Sequence, residues 1–139
     1  MEDQATDCVT FCANFPDDSE WNKEGDLITP GGRAIASVLV ECLIKQGLNV
    51  EPEKQHSYYA WLITVRSEKI RMELYLYDLQ PWVLICEIKR KWFRKNALED
   101  LHQQVITKLR EVLHTDKRFS KVRWATKEEL AAEGILKEY

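Results

Sequence analysis

The groups in this chain that could do chemistry are three histidines, four cysteines and twenty-three carboxylates. Their spacing suits neither catalysis nor metal binding. His56, His102 and His114 are far apart, and no His-Glu-x-x-His motif places two imidazoles on one helix face. His102 and His114 fall on or near one helix, too distant to share an ion unaided. Cys8 and Cys12 lie four apart, without a second pair or a nearby histidine to complete a zinc set. Cys42 and Cys86 sit, like them, inside apolar patterns, so buried free thiols are expected. There is no Gly-x-Ser-x-Gly elbow. The paired acids Asp17-Asp18 and Glu99-Asp100 fall in a loop and a helix start, with no visible cause for a raised pKa. Gly31-Gly32 opens a helix, where free N–H groups attract anions. The pair lacks the Lys-Ser/Thr ending of a phosphate loop, and a close-packed helix start is the plainer expectation. No catalytic residue, metal ligand or cofactor is assigned.

Three surfaces are better suited to binding than to catalysis. Period-two alternation across residues 58–88 sends Tyr58, Thr64, Arg66, Arg71, Glu73, Tyr75, Tyr77, Val83, Ile85 and Glu87 to one side of a sheet. Tyrosine and arginine are common at binding hot spots because they bury area and still offer polar groups. Cross-strand pairing, such as Arg71 with Glu87, is the competing use of the same residues. The second surface is acidic. Residues 1–57 hold eleven acids against four bases, among them Glu2, Asp3, Asp7, Asp17, Asp18, Glu20, Glu24 and Asp26. Such charges steer a basic partner; a solvated acidic segment is the alternative. The third is the basic run 89–95, in which Trp92 and Phe93 are set between Lys and Arg residues. That pattern suits phosphate contact with base stacking. The net charge of -3 opposes nucleic acid at long range, so a solvated connector is favoured.

The elements that must position these groups follow from periodicity. Residues 8–15 alternate weakly and read as a strand; residues 16–30, with Pro16, Gly25 and Pro30, read as an acidic loop. A helix is expected from 30 to 46, capped by Thr29, with Pro30 at its first position. Ile35, Val38, Leu39, Cys42 and Leu43 form its stripe, and Gly47 stops it. Three strands follow at 58–66, 69–77 and 82–88. Their core sets are Tyr59, Trp61, Ile63 and Val65; Ile70, Met72, Leu74 and Leu76; and Leu84, Cys86 and Ile88. Short links at Ser67-Glu68 and 78–81 make them an antiparallel meander. A second helix is expected over 97–114, capped by Asn96, with Leu98, Leu101, Val105, Leu109 and Val112 inward. A strand over 119–124 and a short helix with the capping box Thr126/Glu129, ended by Gly134, complete the chain.

This order predicts one α+β domain over residues 1–139: an antiparallel sheet of three to five strands with helices packed on one face, a two-layer sandwich. A hydrophobic content of 45% with fourteen aromatic residues supplies a core without staples. No signal-like segment and no apolar run of about 18 residues is visible, which predicts a cytoplasmic chain away from membranes.

Three stretches carry a likeness: Thr29-Pro30-Gly31-Gly32-Arg33-Ala34-Ile35-Ala36, Tyr58-Tyr59-Ala60-Trp61, and Asp116-Lys117-Arg118-Phe119-Ser120-Lys121-Val122-Arg123-Trp124. They resemble small stand-alone bacterial α+β proteins of unassigned activity, similar in size and layout to immunity proteins that neutralise polymorphic toxins. The resemblance implies a protein partner and brings no catalytic residues. The expectation is a non-enzymatic protein-binding domain of a bacterial cytosol, acting through the sheet face (Tyr58, Arg66, Arg71, Glu73, Tyr75, Tyr77, Glu87) or the acidic segment (Asp17, Asp18, Glu20). The alternative is a small ligand-binding or enzymatic domain, with Trp61, Trp82 and Trp92 lining a pocket between sheet and helices.

Overall fold

The computed structural model describes residues 8–56, 59–67, 70–89 and 95–136. In chain order the elements are β1 (Cys8–Ala13), β2 (Glu20–Trp21), β3 (Leu27–Thr29), α1 (Arg33–Lys45), β4 (Asn49–Val50), β5 (Lys54–Gln55), β6 (Ala60–Ser67), β7 (Ile70–Tyr77), β8 (Trp82–Lys89), α2 (Lys95–Thr115), β9 (Phe119–Ala125) and α3 (Lys127–Ala132).

The expected meander is present: β6, β7 and β8 pair antiparallel in sequence order. The burial of β7 alternates strictly along its length, as a period-two strand requires. The sheet is wider than the three to five strands expected. Seven strands run in the order β4-β6-β7-β8-β1-β9, with β5 also on β6, and every pairing is antiparallel. The extra width comes from two short strands that the sequence did not announce, β4 and β5, both of which pair with β6, while β1 inserts between β8 and β9 and pairs Thr10 with Arg123. The exposed edge β9 carries a bulge at Lys121, whose φ is 52°. Bulges and charged side chains on an edge discourage pairing with other chains.

Helices α1 and α2 lie over one sheet face. Ile35, Leu39 and Leu43 of α1 and Leu101, Val105 and Leu109 of α2 share a core with Ile63, Met72, Leu74, Leu84, Val9 and Phe11. Helix α3 lies on the other face. Its Leu130 is fully buried beside Cys8, Val83, Ile85 and Ala125, with Tyr75 and Tyr77 at the margin. The one-face expectation therefore fails for α3. Its capping box forms as expected: Thr126 Oγ1 accepts from Glu129 N, and Glu129 accepts from Thr126 N. Burying one leucine is worth about 1.5–3 kcal/mol, and Leu130 is the buried residue of this six-residue helix.

Four local expectations also need correction. Residues 16–30 contain a hairpin, β2–β3, because Asn22 Oδ1 accepts the backbone N–H groups of Glu24 and Asp26 and Gly25 takes a φ of 89°. Helix α1 begins at Arg33, so Thr29 does not cap it; Gly32 holds the cap position with no side chain to offer. Tyr59 is 67% exposed rather than core-facing, since regular pairing of β6 begins one residue later. Asn96 lies inside α2, which starts at Lys95. The link at Glu68 and the acids Glu2, Asp3 and Asp7 lie outside the described residues. Among those described, no helix is long and apolar enough to cross a membrane.

Candidate functional site

The most elaborate polar arrangement surrounds the N-terminus of α1. The first turn of any helix leaves backbone N–H groups without partners, and the Gly-Gly entry supplies no side chain to meet them. Remote carboxylates do so instead. Asp18 accepts from Gly32 N at 2.8 Å and from Ala34 N at 2.9 Å. Asp78, just beyond β7, accepts from Gly31 N at 3.1 Å. From β6, Trp61 Nε1 donates to Pro30 O at 3.0 Å, and Arg33 lies 5.4 Å from its ring. The glycines are needed for this approach. A Cβ on Gly31 would stand 2.8 Å from Asp78 Oδ2; one on Gly32, at φ 106°, would stand 2.7 Å from the Trp82 ring.

Beside this junction opens a cleft of about 390 Å³. Phe15, Trp21 and Trp82 supply its apolar wall, and Asp17, Asp18 and Asp78 its charge. No lysine, arginine or histidine lines it among the described residues. A short relay orders the rim: Trp21 Nε1 donates to Ser19 Oγ at 3.2 Å, and Ser19 Oγ donates to Asp17 Oδ1 at 2.7 Å. The Ser19 hydroxyl and backbone N–H together hold the Asp17 carboxyl below its ordinary range. Burial pushes Asp78 upward; the Gly31 N–H opposes this, while the charges of Asp17 and Asp18 reinforce it. The helix dipole offers only about half a positive charge, against three carboxylates. The cleft is therefore a region of negative potential.

The sheet face expected to dock a partner is largely occupied with itself. Glu73 and Glu87 stand directly opposite each other, a like-charge pair. Lys127 of α3 compensates Glu87 at 2.7 Å. Tyr75 donates its hydroxyl to Glu73, and its own pKa rises through burial and that bond. Arg71 also faces Glu73. Its Nε lies 3.2 Å from the carboxylate but is buried without hydrogen-bond alignment, so the contact is Coulombic only. Register sets Arg71 opposite Arg66 and Lys89, not Glu87; Arg66 turns to Glu51. His56 packs edge-on to Tyr75, with ring centroids 4.9 Å apart. Tyr77 and Tyr75 are half-buried beside α3. Tyr58 lies outside the described residues, as do residues 90–94 of the basic run, Trp92 included.

The structure thus separates the expected acidic residues. Asp17 and Asp18 enter the cleft, whereas Glu20 is exposed on β2. Of the tryptophans expected around a pocket, Trp82 lines the cleft and Trp61 is buried in the core. Sequence reasoning missed Asp78, Trp21 and Phe15 as companions of Asp18. The two adjacent glycines at a helix start, without a capping side chain, were the signal that an outside acceptor had to arrive. Among the described residues no three His, Cys, Asp or Glu side chains are placed to hold a metal ion, and none of the four cysteines is in a disulfide.

No family model, curated protein or solved structure matches the chain.

Proposed function

We propose that this chain is a non-enzymatic protein-binding domain and that its partner meets it at the acidic, aromatic-walled cleft beside α1. One observation carries the reading: Asp17, Asp18 and Asp78 converge on a cleft walled by Phe15, Trp21 and Trp82. Aromatic rings are enriched at interface anchors, and the carboxylates beside them complement a cationic partner. The acidic N-terminal half steers a basic partner toward it. An immunity protein neutralising a basic toxin in a bacterial cytosol is the concrete form, following the resemblance drawn above. The sheet face around Arg66, Arg71 and Tyr77 is a secondary contact, since its charges already serve one another. A small cationic ligand held in the same cleft is the alternative reading.

Affinity capture from the native cell, with wild type and a Trp21→Ala/Asp17→Lys variant in parallel, tests the proposal. A protein retained by wild type and released by the variant supports it. Equal retention by both moves the contact elsewhere on the surface. Capture of no protein, with a small cation found on the purified chain by native mass spectrometry, replaces it with the alternative.

A further inference from the structure

The surface around the cleft says what kind of segment would fit it. Five large hydrophobic side chains are exposed among the described residues, and four of them belong to connected segments at this end: Trp21, Ile28, Tyr59 and Leu79. Trp21 and Ile28 are on the β2–β3 hairpin. Tyr59 is joined to the turn carrying Leu79 through the bond from Asp78 N to Tyr59 O. A second cleft of about 510 Å³ opens on the hairpin, lined by Asn22, Asp26, Leu27, Ile28 and Tyr59. The hairpin therefore stands between two depressions, each combining carboxylate with apolar surface. Exposed apolar groups scattered singly need no explanation, but a grouped set marks a contact surface.

We infer that this surface receives a short basic segment of a partner protein, with one arginine in the α1 cleft and flanking apolar side chains over Ile28 and Tyr59. The inference rests on the protein-binding reading and specifies its chemistry. Charge complementarity selects a cation. The rings of Trp21 and Trp82 and the paired carboxylates select a planar one, because a guanidinium stacks on indole and bonds two acceptors at once, whereas an ammonium is a strongly hydrated point charge. Acceptor capacity remains for it. A carboxylate has about four lone-pair positions; Asp78 uses one on Gly31, and Asp17 uses its Oδ1 on Ser19.

A positional-scanning decapeptide library probed with the labelled full chain tests this. Arginine at the anchor position should exceed citrulline by about tenfold, equal to about 1.4 kcal/mol, and should exceed lysine, with apolar residues favoured beside it. Trp21→Ala and Asp17→Asn, neither of which caps α1, should abolish the preference while leaving the thermal midpoint in place. A library without arginine preference, or a preference unchanged in both variants, overturns the inference. If native capture still yields a protein released by the cleft variant, the broader protein-binding reading survives that result; if it yields no protein at all, both fall.

Discussion

Helices α1 and α3 begin in opposite ways. Helix α3 caps itself: Thr126 and Glu129, three residues apart, exchange hydrogen bonds within one turn. Helix α1 has a glycine at its cap and borrows its acceptors from Asp18, sixteen residues before Ala34, and from Asp78, forty-seven residues after Gly31. A self-contained cap closes a helix end and leaves nothing over. A borrowed cap concentrates remote carboxylates at one point, and around α1 that point is the cleft. The functional proposal thus grows from a structural need. The same acids that complete the helix create the negative potential a partner would read.

The contrast can be broken most forcefully at Gly32. Gly32→Ala places a Cβ against Trp82 at a left-handed backbone position. Backbone strain of about 1–3 kcal/mol and overpacking of about 1–3 kcal/mol add there, so a loss of about 3 kcal/mol or more is expected from urea unfolding. Gly134→Ala near the end of α3 also meets a positive φ, but in open space, and should cost only about 1 kcal/mol. Similar costs at both sites would mean that the α1 junction is loosely packed.

Asp18→Ala comes next. It removes the acceptor of two N–H groups, for an expected loss of about 2 kcal/mol. Asp18→Asn keeps one carbonyl acceptor and should recover part of that loss. Thr126→Ala should cost about 1 kcal/mol, and its effect should add to that of Asp18→Ala within about 0.5 kcal/mol. A cost at Thr126 matching that at Asp18 would remove the distinction between self-contained and borrowed caps.

The smallest expected effect is in the pH profile. Asp78 is raised in the folded protein, chiefly by burial, above an unfolded value of about 3.9. The native state then holds more protons than the unfolded state between those two values, so this group's contribution falls as pH rises through that window and levels off above it. Asp78→Asn, which removes the titrating group, should flatten that part of the curve while retaining an acceptor for Gly31. Denaturation midpoints measured from acidic to neutral pH check the slope; an unchanged slope in the variant would place the burden on another carboxylate.

Much of the architecture was legible in the residues. The alternation Ile70, Met72, Leu74, Leu76 specified a strand and its buried side, and β7 shows it without exception. Leu101, Val105, Leu109 and Val112 specified the inner stripe of α2. The pairing of β1 between β8 and β9 was not legible, because it joins Cys8 to Ile85 on one side and to Ala125 on the other, with no turn to announce either. Of the candidate site, Asp17 and Asp18 were visible as acids but not as cleft and cap. The tyrosines of β7 were visible as one face, but their enclosure by α3 was not, since Leu130 carries no mark of which side of the sheet it will cover.

By itself, then, the sequence determined several features whose partners lie within a turn or a strand: the meander, the two amphipathic helices, the Thr126 cap and the glycine stop after α1. The tertiary structure alone decided which distant groups meet. It brought Asp18, Asp78, Trp21 and Trp82 to one helix end and laid α3 across the second sheet face. The physical reason is that local hydrogen bonds and side-chain periodicity are written in neighbouring residues. An unpaired N–H or a half-covered sheet only specifies that some partner must come, and long-range packing chooses which.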